Sequence, residues 1–190
     1  MVELSRKTKE TDIKIKLAIN SSGKSTIKSG VGFLDHMLES FSKHSLIDID
    51  LSCEGDTHID DHHSVEDIAI TLGQALSKAI YPIEKVERFG SATVVMDEAA
   101  VTTDLDLSNR PFLVYECDID GKVGDFDVEL VEEFFRALAF NSGITAHIIM
   151  QRGKNKHHII EAAFKSFAVA LRRSLTKNDA LGIPSTKGVL

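Results

Sequence analysis

Two stretches of this chain, 62–76 and 157–171, align without a gap and share an opening His-His pair, a glutamate and a closing Ala-Leu. A motif that recurs in register, with similar elements around it, constrains the fold more than any single segment. In the first half, "DIKIKLAI" (12–19) alternates apolar and polar residues, as a half-buried strand does. "STIKS" follows the turn-forming "NSSGK" and is expected to return as its partner. "GFLDHMLESFSKH" changes to helical period, with Phe33, Leu34, Met37, Leu38 and Phe41 on one face. "LIDIDLSC" alternates again, and "SVEDIAITLGQALSKAI" reads as a second helix ending before Pro82.

The second half keeps this order. "SATVVMD", "AAVTTDLDL" and "PFLVYECDI" read as strands, "DVELVEEFFRALAFNSG" as a helix with a Gly stop, "TAHIIMQ" as a strand and "HHIIEAAFKSFAVALRRSL" as a final helix. The economical architecture is a duplicated α+β unit, with repeats 1–90 and 91–190, a junction near 88–91, and one compact body overall. Each repeat is expected to form a mostly antiparallel sheet with two helices on one face, which suits this order better than alternating parallel βαβ units.

Composition removes several function classes. With 190 residues, 43% hydrophobic and 27% charged, the chain can bury a sizeable core. A net charge of −7 and the absence of Trp argue against a nucleic-acid partner. No segment is apolar enough to span a bilayer and 1–20 has no apolar h-region, so no membrane partner and a cytoplasmic location are expected. Cys53 and Cys117 lie far apart without metal-type spacing and read as reduced packing residues.

The chemistry is concentrated in "HIDDHHSVED" (58–67), which holds three of the eight histidines, and in its echo "HHIIEA". On a helix, His62 and His63 share a face with Glu66, as His157 and His158 do with Glu161. Neighbouring rings are rotated about 100° around the axis, so each pair more naturally addresses two ions than one. His36 on the preceding helix of the first half, and Glu133 at its counterpart position in the second, supply further donors. Imidazole with carboxylate suits manganese, iron or zinc. A single copy reads equally well as a solvated helix start, and it is the repetition that favours metal. The order is not HExxH, so a zincin peptidase is not indicated. His147 reads as a structural histidine in a strand, His58 as a turn residue, and His44 as a helix end that meets either the macrodipole or a ligand.

An anion would have to be held locally. "GKS" (23–25) lacks the upstream Gly and following helix of a phosphate loop. Arg88, Arg110, Lys165 and the tail "PSTKG" are the better candidates, with Lys165 one turn beyond Glu161.

"FLDHML", "GDTHIDDHHSVEDIAI", "LSNRPFL", "GKNKHHIIEAAFK" and "IPSTKGVL", in this order and spanning essentially the whole chain, closely resemble the imidazoleglycerol-phosphate dehydratase family of histidine biosynthesis. The resemblance implies a duplicated fold of the ribosomal protein S5 domain 2-like kind. It implies dehydration of D-erythro-imidazole-glycerol phosphate to imidazole-acetol phosphate, two manganese ions per active site, and a twenty-four-subunit shell with active sites between subunits. Carried over by position, the ligands are His36, His62, His63, Glu66, Glu133, His157, His158 and Glu161. Some members have His where this chain has Glu133. Glu10 in "TKETD", supplied by a neighbouring subunit, is implied as the base for the C2 proton, and Glu66 and Glu161 join it as catalytic carboxylates acting through ligation. Glu10, His44, Arg88, Arg110, Lys165, Ser185, Thr186 and Lys187 are implied to meet the substrate and its phosphate. An imidazolate would expel the hydroxyl through a diazafulvene-type intermediate. Read without the resemblance, the residues leave open a metal-dependent hydrolase of a small phosphorylated substrate and a non-catalytic, metal-stapled assembly.

Overall fold

The computed structural model describes residues 1–187; the last three residues of the second repeat, 188–190, lie outside the described residues. The first repeat runs β1 (Val2–Lys7), β2 (Thr11–Ala18), β3 (Ser25–Lys28), α1 (Gly32–Ser45), β4 (Asp48–Gly55) and α2 (His62–Ile80). The second runs β5 (Phe89–Met96), β6 (Ala99–Asp106), β7 (Phe112–Glu116), a small ribbon β8 (Lys122–Val123) and β9 (Phe126–Asp127), then α3 (Glu129–Ser142), β10 (Thr145–Arg152) and α4 (Lys156–Ser174). The two sheets have the orders β1-β2-β4-β3 and β5-β6-β10-β7, so the second repeats the topology of the first, with the ribbon as an insertion.

Local chemistry accounts for these elements. Ile13, Ile15 and Leu17 of β2 and Ile49, Leu51 and Cys53 of β4 alternate onto one buried face, as the two-residue strand period requires. On α1, Leu34, Met37, Leu38 and Phe41 are buried, and the period of about 3.6 makes them a single stripe. The two first helices end alike. Leu46 (φ 57°) and Gly143 (φ 73°) both adopt the left-handed cap and return an N–H to Ser42 and Ala139. Only Gly143 does so without a Cβ in that region.

Two sequence expectations differ from the structure. β3 does not return beside β2. It pairs in parallel with β4 (Ile27 opposite Leu51), while β2 pairs antiparallel with β4 and with β1. Helix α1 intervenes between β3 and β4 and allows the parallel crossover that a short turn could not. The edge strand β1, absent from the sequence reading, has only a weak signal, because its residues are all half-buried or exposed and "VELSRK" carries three charges.

The helices decide where the chemistry falls. Helices α1 and α2 cover one sheet and α3 and α4 the other, while across the repeats α1 packs on α4 and α2 on α3. Phe41 meets Phe167 at 6.1 Å between ring centroids, and Phe134, Phe135 and Phe164 pack in tilted and edge-on contacts 4.7–5.5 Å apart. The two repeats thus share one core, and His36 of the first repeat is carried to the start of α4 in the second.

Candidate metal centre and anion site

Asn155 caps α4. Its side chain accepts the backbone N–H groups of His157 (3.0 Å) and His158 (3.4 Å), which aims both imidazoles outward from the first turn. One turn later stands Glu161, a carboxylate with a side chain only 8% exposed. Its oxygens lie 3.2 Å from His157 Nε2, 3.6 Å from His36 Nε2 and 2.7 Å from Lys165 Nζ. One ligand atom from each of His36, His157 and Glu161 falls within 4.8 Å of the others, the only such trio among the described residues. Burial opposes ionisation of Glu161, but the hydrogen bond and charge of Lys165, with His36 and His157, outweigh it and hold its pKa below the ordinary value. The carboxylate is therefore ready to ligate a cation. Phe33 packs edge-on to His157 at 5.3 Å and against Phe126 of the ribbon at 5.1 Å, giving the cluster an apolar wall. An open depression beside it is lined by Phe33, His36, Val123, Phe126 and Asp61, the residue before His62.

The first-repeat motif is more open. His62 Nε2 lies 3.8 Å from Glu66, one turn along α2. His63 turns to the loop before the helix, donating Nδ1–H to Asp56 (3.0 Å), with Nε2 3.8 Å from Glu10. Glu10 sits in the β1–β2 turn, whose geometry is set by Thr8. The Thr8 hydroxyl accepts the N–H of Glu10 (3.1 Å) and of Thr11 (3.0 Å). The Thr11 hydroxyl donates to buried Asp67 on α2 (2.5 Å), which also pairs with Arg6 at 2.5 Å. Within one chain, then, Glu10 faces its own His63. Glu133, half-buried on α3, joins no trio of ligands among the described residues, although α3 packs on α2. His158 also stands apart from the trio, with Nδ1 2.8 Å from Glu98.

The candidate anion-binding residues fall into two groups. His44, at the end of α1, is half-buried. Burial lowers its pKa, and the nearby positive charges of Lys165 and Arg172 lower it further against a smaller opposing effect of Glu161. Arg88 grips Asp106 with Nε (2.7 Å) and Nη2 (3.1 Å) and donates from Nη1 to the Pro184 carbonyl (2.8 Å), so it seats the tail. Arg110 is largely exposed and lies 3.9 Å from the same Asp106. Ser185 accepts the Lys187 N–H at 3.2 Å, and Thr186 is exposed between them. Among the described residues no hydrogen bond or ion pair links Arg88, Arg110 or this tail to either histidine cluster.

Reading the sequence missed Asp56, Asp67 and Glu98. Asp56 and Asp67 carried only the signal of charge near a histidine motif, Glu98 carried none, and each contact depends on the tertiary fold.

A helix from one repeat set against an HHxxE helix from the other, with imidazoles around a buried carboxylate, defines a duplicated α+β protein with a histidine–carboxylate centre. The chain belongs to the imidazoleglycerol-phosphate dehydratase family, whose model matches residues 29–171. Over the full length of both chains it is 72% identical to the imidazoleglycerol-phosphate dehydratase of Aliarcobacter butzleri and 67% identical to that of Sulfurimonas denitrificans. The crystal structure of the Staphylococcus aureus imidazoleglycerol-phosphate dehydratase superposes with a TM-score of 0.83 at 41% identity, covering 93% of this chain and 98% of that one. The Pyrococcus furiosus enzyme in complex with (S)-C348 gives 0.85 at 40% identity, covering 98% and 100%. Family membership makes the chain a hydro-lyase of histidine biosynthesis. No helix among the described residues is long and apolar enough to cross a membrane.

Proposed function

We propose that the chain removes water from D-erythro-imidazole-glycerol phosphate to give imidazole-acetol phosphate, at a centre holding two divalent cations, manganese foremost. The observation that carries this reading is the convergence of His36, His157 and Glu161 from two repeats, with Lys165 at the same carboxylate. The donors fit such an ion: two imidazole nitrogens and one carboxylate oxygen, without thiolate, suit manganese, iron or zinc. These three residues would hold one ion. His62, His63, Glu66, Glu133 and His158 form the set from which the second would be held, with donors shared between copies of the chain. A bound cation supplies Lewis acidity, drawing electron density from the substrate's imidazole ring so that a carbon-bound proton can leave.

The chain's own groups do the rest. Glu10, whose turn is held by Thr8 and the Thr11–Asp67 bond, would take the C2 proton. Lys165 would offer positive charge, and His44 a neutral hydrogen-bond donor, to the phosphate. Arg88 holds Pro184 at the start of the tail, from which Ser185, Thr186 and Lys187 would reach the phosphate, and Arg110 stands exposed beside Asp106. A shell of twenty-four subunits belongs to this reading. Exposed Phe89, Val95, Phe112 and Phe140 provide apolar surface that neighbouring copies would cover. The cytoplasm is the compartment it assigns.

The test is to strip the protein of metal, restore Mn²⁺, and follow both ketone product and free phosphate from imidazole-glycerol phosphate. Metal-dependent ketone formation without phosphate release is expected. Phosphate release would make the protein a hydrolase, and metal binding without either product would leave a metal-joined assembly.

A further inference from the structure

In each repeat the second histidine of the HHxxE motif is held in the same way by a residue that the motif does not contain. His63 Nδ1 lies 3.0 and 3.2 Å from the two oxygens of Asp56. His158 Nδ1 lies 2.8 Å from Glu98 Oε2. An ionised carboxylate only accepts hydrogen bonds, so Nδ1 must carry the proton and the lone pair is left on Nε2. That nitrogen lies 3.8 Å from Glu10 in the first repeat and 3.9 Å from Asp97 in the second. Glu10 and Asp97 occupy matching β1–β2 and β5–β6 turns, as duplication predicts. Asp56 and Glu98 do not match: Asp56 follows β4, whereas Glu98 lies in the β5–β6 turn. Passive inheritance from an ancestral repeat would have used equivalent positions. Two unrelated positions reaching the same ring nitrogen point to a shared requirement.

We infer that Asp56 and Glu98 are positioning residues that fix the Nδ1–H tautomer of His63 and His158 and present Nε2 to the metal ions. The inference rests on the two-cation reading above and adds to it the groups that orient two of its ligands. Such outer partners typically govern roughly 10–100-fold of metal affinity.

Glu98 offers a test that separates orientation from support. Its Oε1 accepts the backbone N–H groups of Lys154 (3.2 Å) and Asn155 (2.7 Å) while Oε2 holds His158. In Glu98→Gln the amide oxygen remains with the backbone donors, so the NH₂ falls against His158 Nδ1 and imposes the wrong tautomer. Glu98→Ala loses the backbone contacts but leaves the ring free to choose. At Asp56 both oxygens address Nδ1, so Asp56→Asn can still present its carbonyl, whereas Asp56→Ala cannot.

The measurement is the Mn²⁺ dissociation constant of each metal-stripped variant, read from the EPR signal of free Mn²⁺, with thermal melting as the check on folding. Glu98→Gln should weaken binding by roughly 10–100-fold and more than Glu98→Ala. Asp56→Ala should weaken it more than Asp56→Asn. A merely supporting role predicts the reverse order at Glu98, because Gln keeps the backbone contacts and Ala does not. That reverse order, or native affinity in both Glu98→Gln and Asp56→Ala, would overturn the inference. Absence of Mn²⁺ binding by the unmodified protein would instead remove the metal reading beneath it.

Discussion

The two HHxxE helices begin alike and meet different company. On α4, His157 and Glu161 are joined by His36 from the other repeat, and Lys165 completes a closed cluster around a buried carboxylate. On α2, His62 and Glu66 remain 3.8 Å apart, and the counterpart of His36 is Glu133, which joins no trio among the described residues. The helix pairings are equivalent, so the difference lies in side chains: an imidazole reaches its neighbours on one side and a carboxylate replaces it on the other. Duplication supplied two similar frames, and the single chain completes only one of them. On the proposed two-ion reading, the open one is where a second copy of the chain would add donors.

On the open side, Glu10 is the residue whose loss should cost most. Glu10→Gln should lower kcat by roughly 10²–10⁴-fold, as loss of a general base does, with Mn²⁺ affinity near native. A fall in Mn²⁺ affinity matching the fall in kcat would make Glu10 a ligand. Truncation after Ile183 removes the tail that Arg88 seats through Pro184. KM should rise by about tenfold or more, the worth of one or two charged hydrogen bonds, with assembly spared. Unchanged kinetics would separate the tail from the site. Glu133→Ala should lower Mn²⁺ affinity by roughly tenfold or more, while Glu133→His should retain it by restoring the imidazole of the closed side.

The asymmetry of the motifs was only partly legible in the sequence. The gapless match of 62–76 with 157–171 exposed the duplication, and His36 and Glu133 could be aligned because each lies on the helix before its motif. Alternation identified β2 and β4 because their buried faces are aliphatic. It said little about β1, whose apolar residues share the strand with charges, and it assigned β3 to a neighbour in sequence that is not its neighbour in the sheet. Asp56 and Glu98 escaped for a related reason. Glu98 lies sixty residues before His158, and no local spacing encodes a contact made by packing a turn against a helix end. The convergence of His36 with His157 likewise needs the α1–α4 packing.

The smallest expected effect concerns stability. Asp48 opens β4 and accepts bonds from Ser21, Ser22 and Lys24, which hold its pKa at about 2, below the usual 3.8. Thr145, at the matching start of β10, instead donates to the Arg110 carbonyl at 2.7 Å. Because the folded pKa of Asp48 is depressed, its contribution is complete above about pH 4 and is lost as pH falls toward 2. Asp48→Asn should therefore lower Tm slightly at neutral pH and flatten its decline on acidification, whereas Thr145→Val should leave the acid limb unchanged. Parallel acid limbs for Asp48→Asn and the native chain would remove this difference between the repeats.

On the proposed function, one closed cluster and one open cluster together make a two-ion centre. It is tested most directly by titrating metal-stripped, assembled protein with Mn²⁺ and counting bound ions per chain while following ketone formation. Two ions per chain are predicted, with turnover reaching its maximum only as the second site fills. Saturation at one ion per chain with full turnover would rule out a two-ion centre.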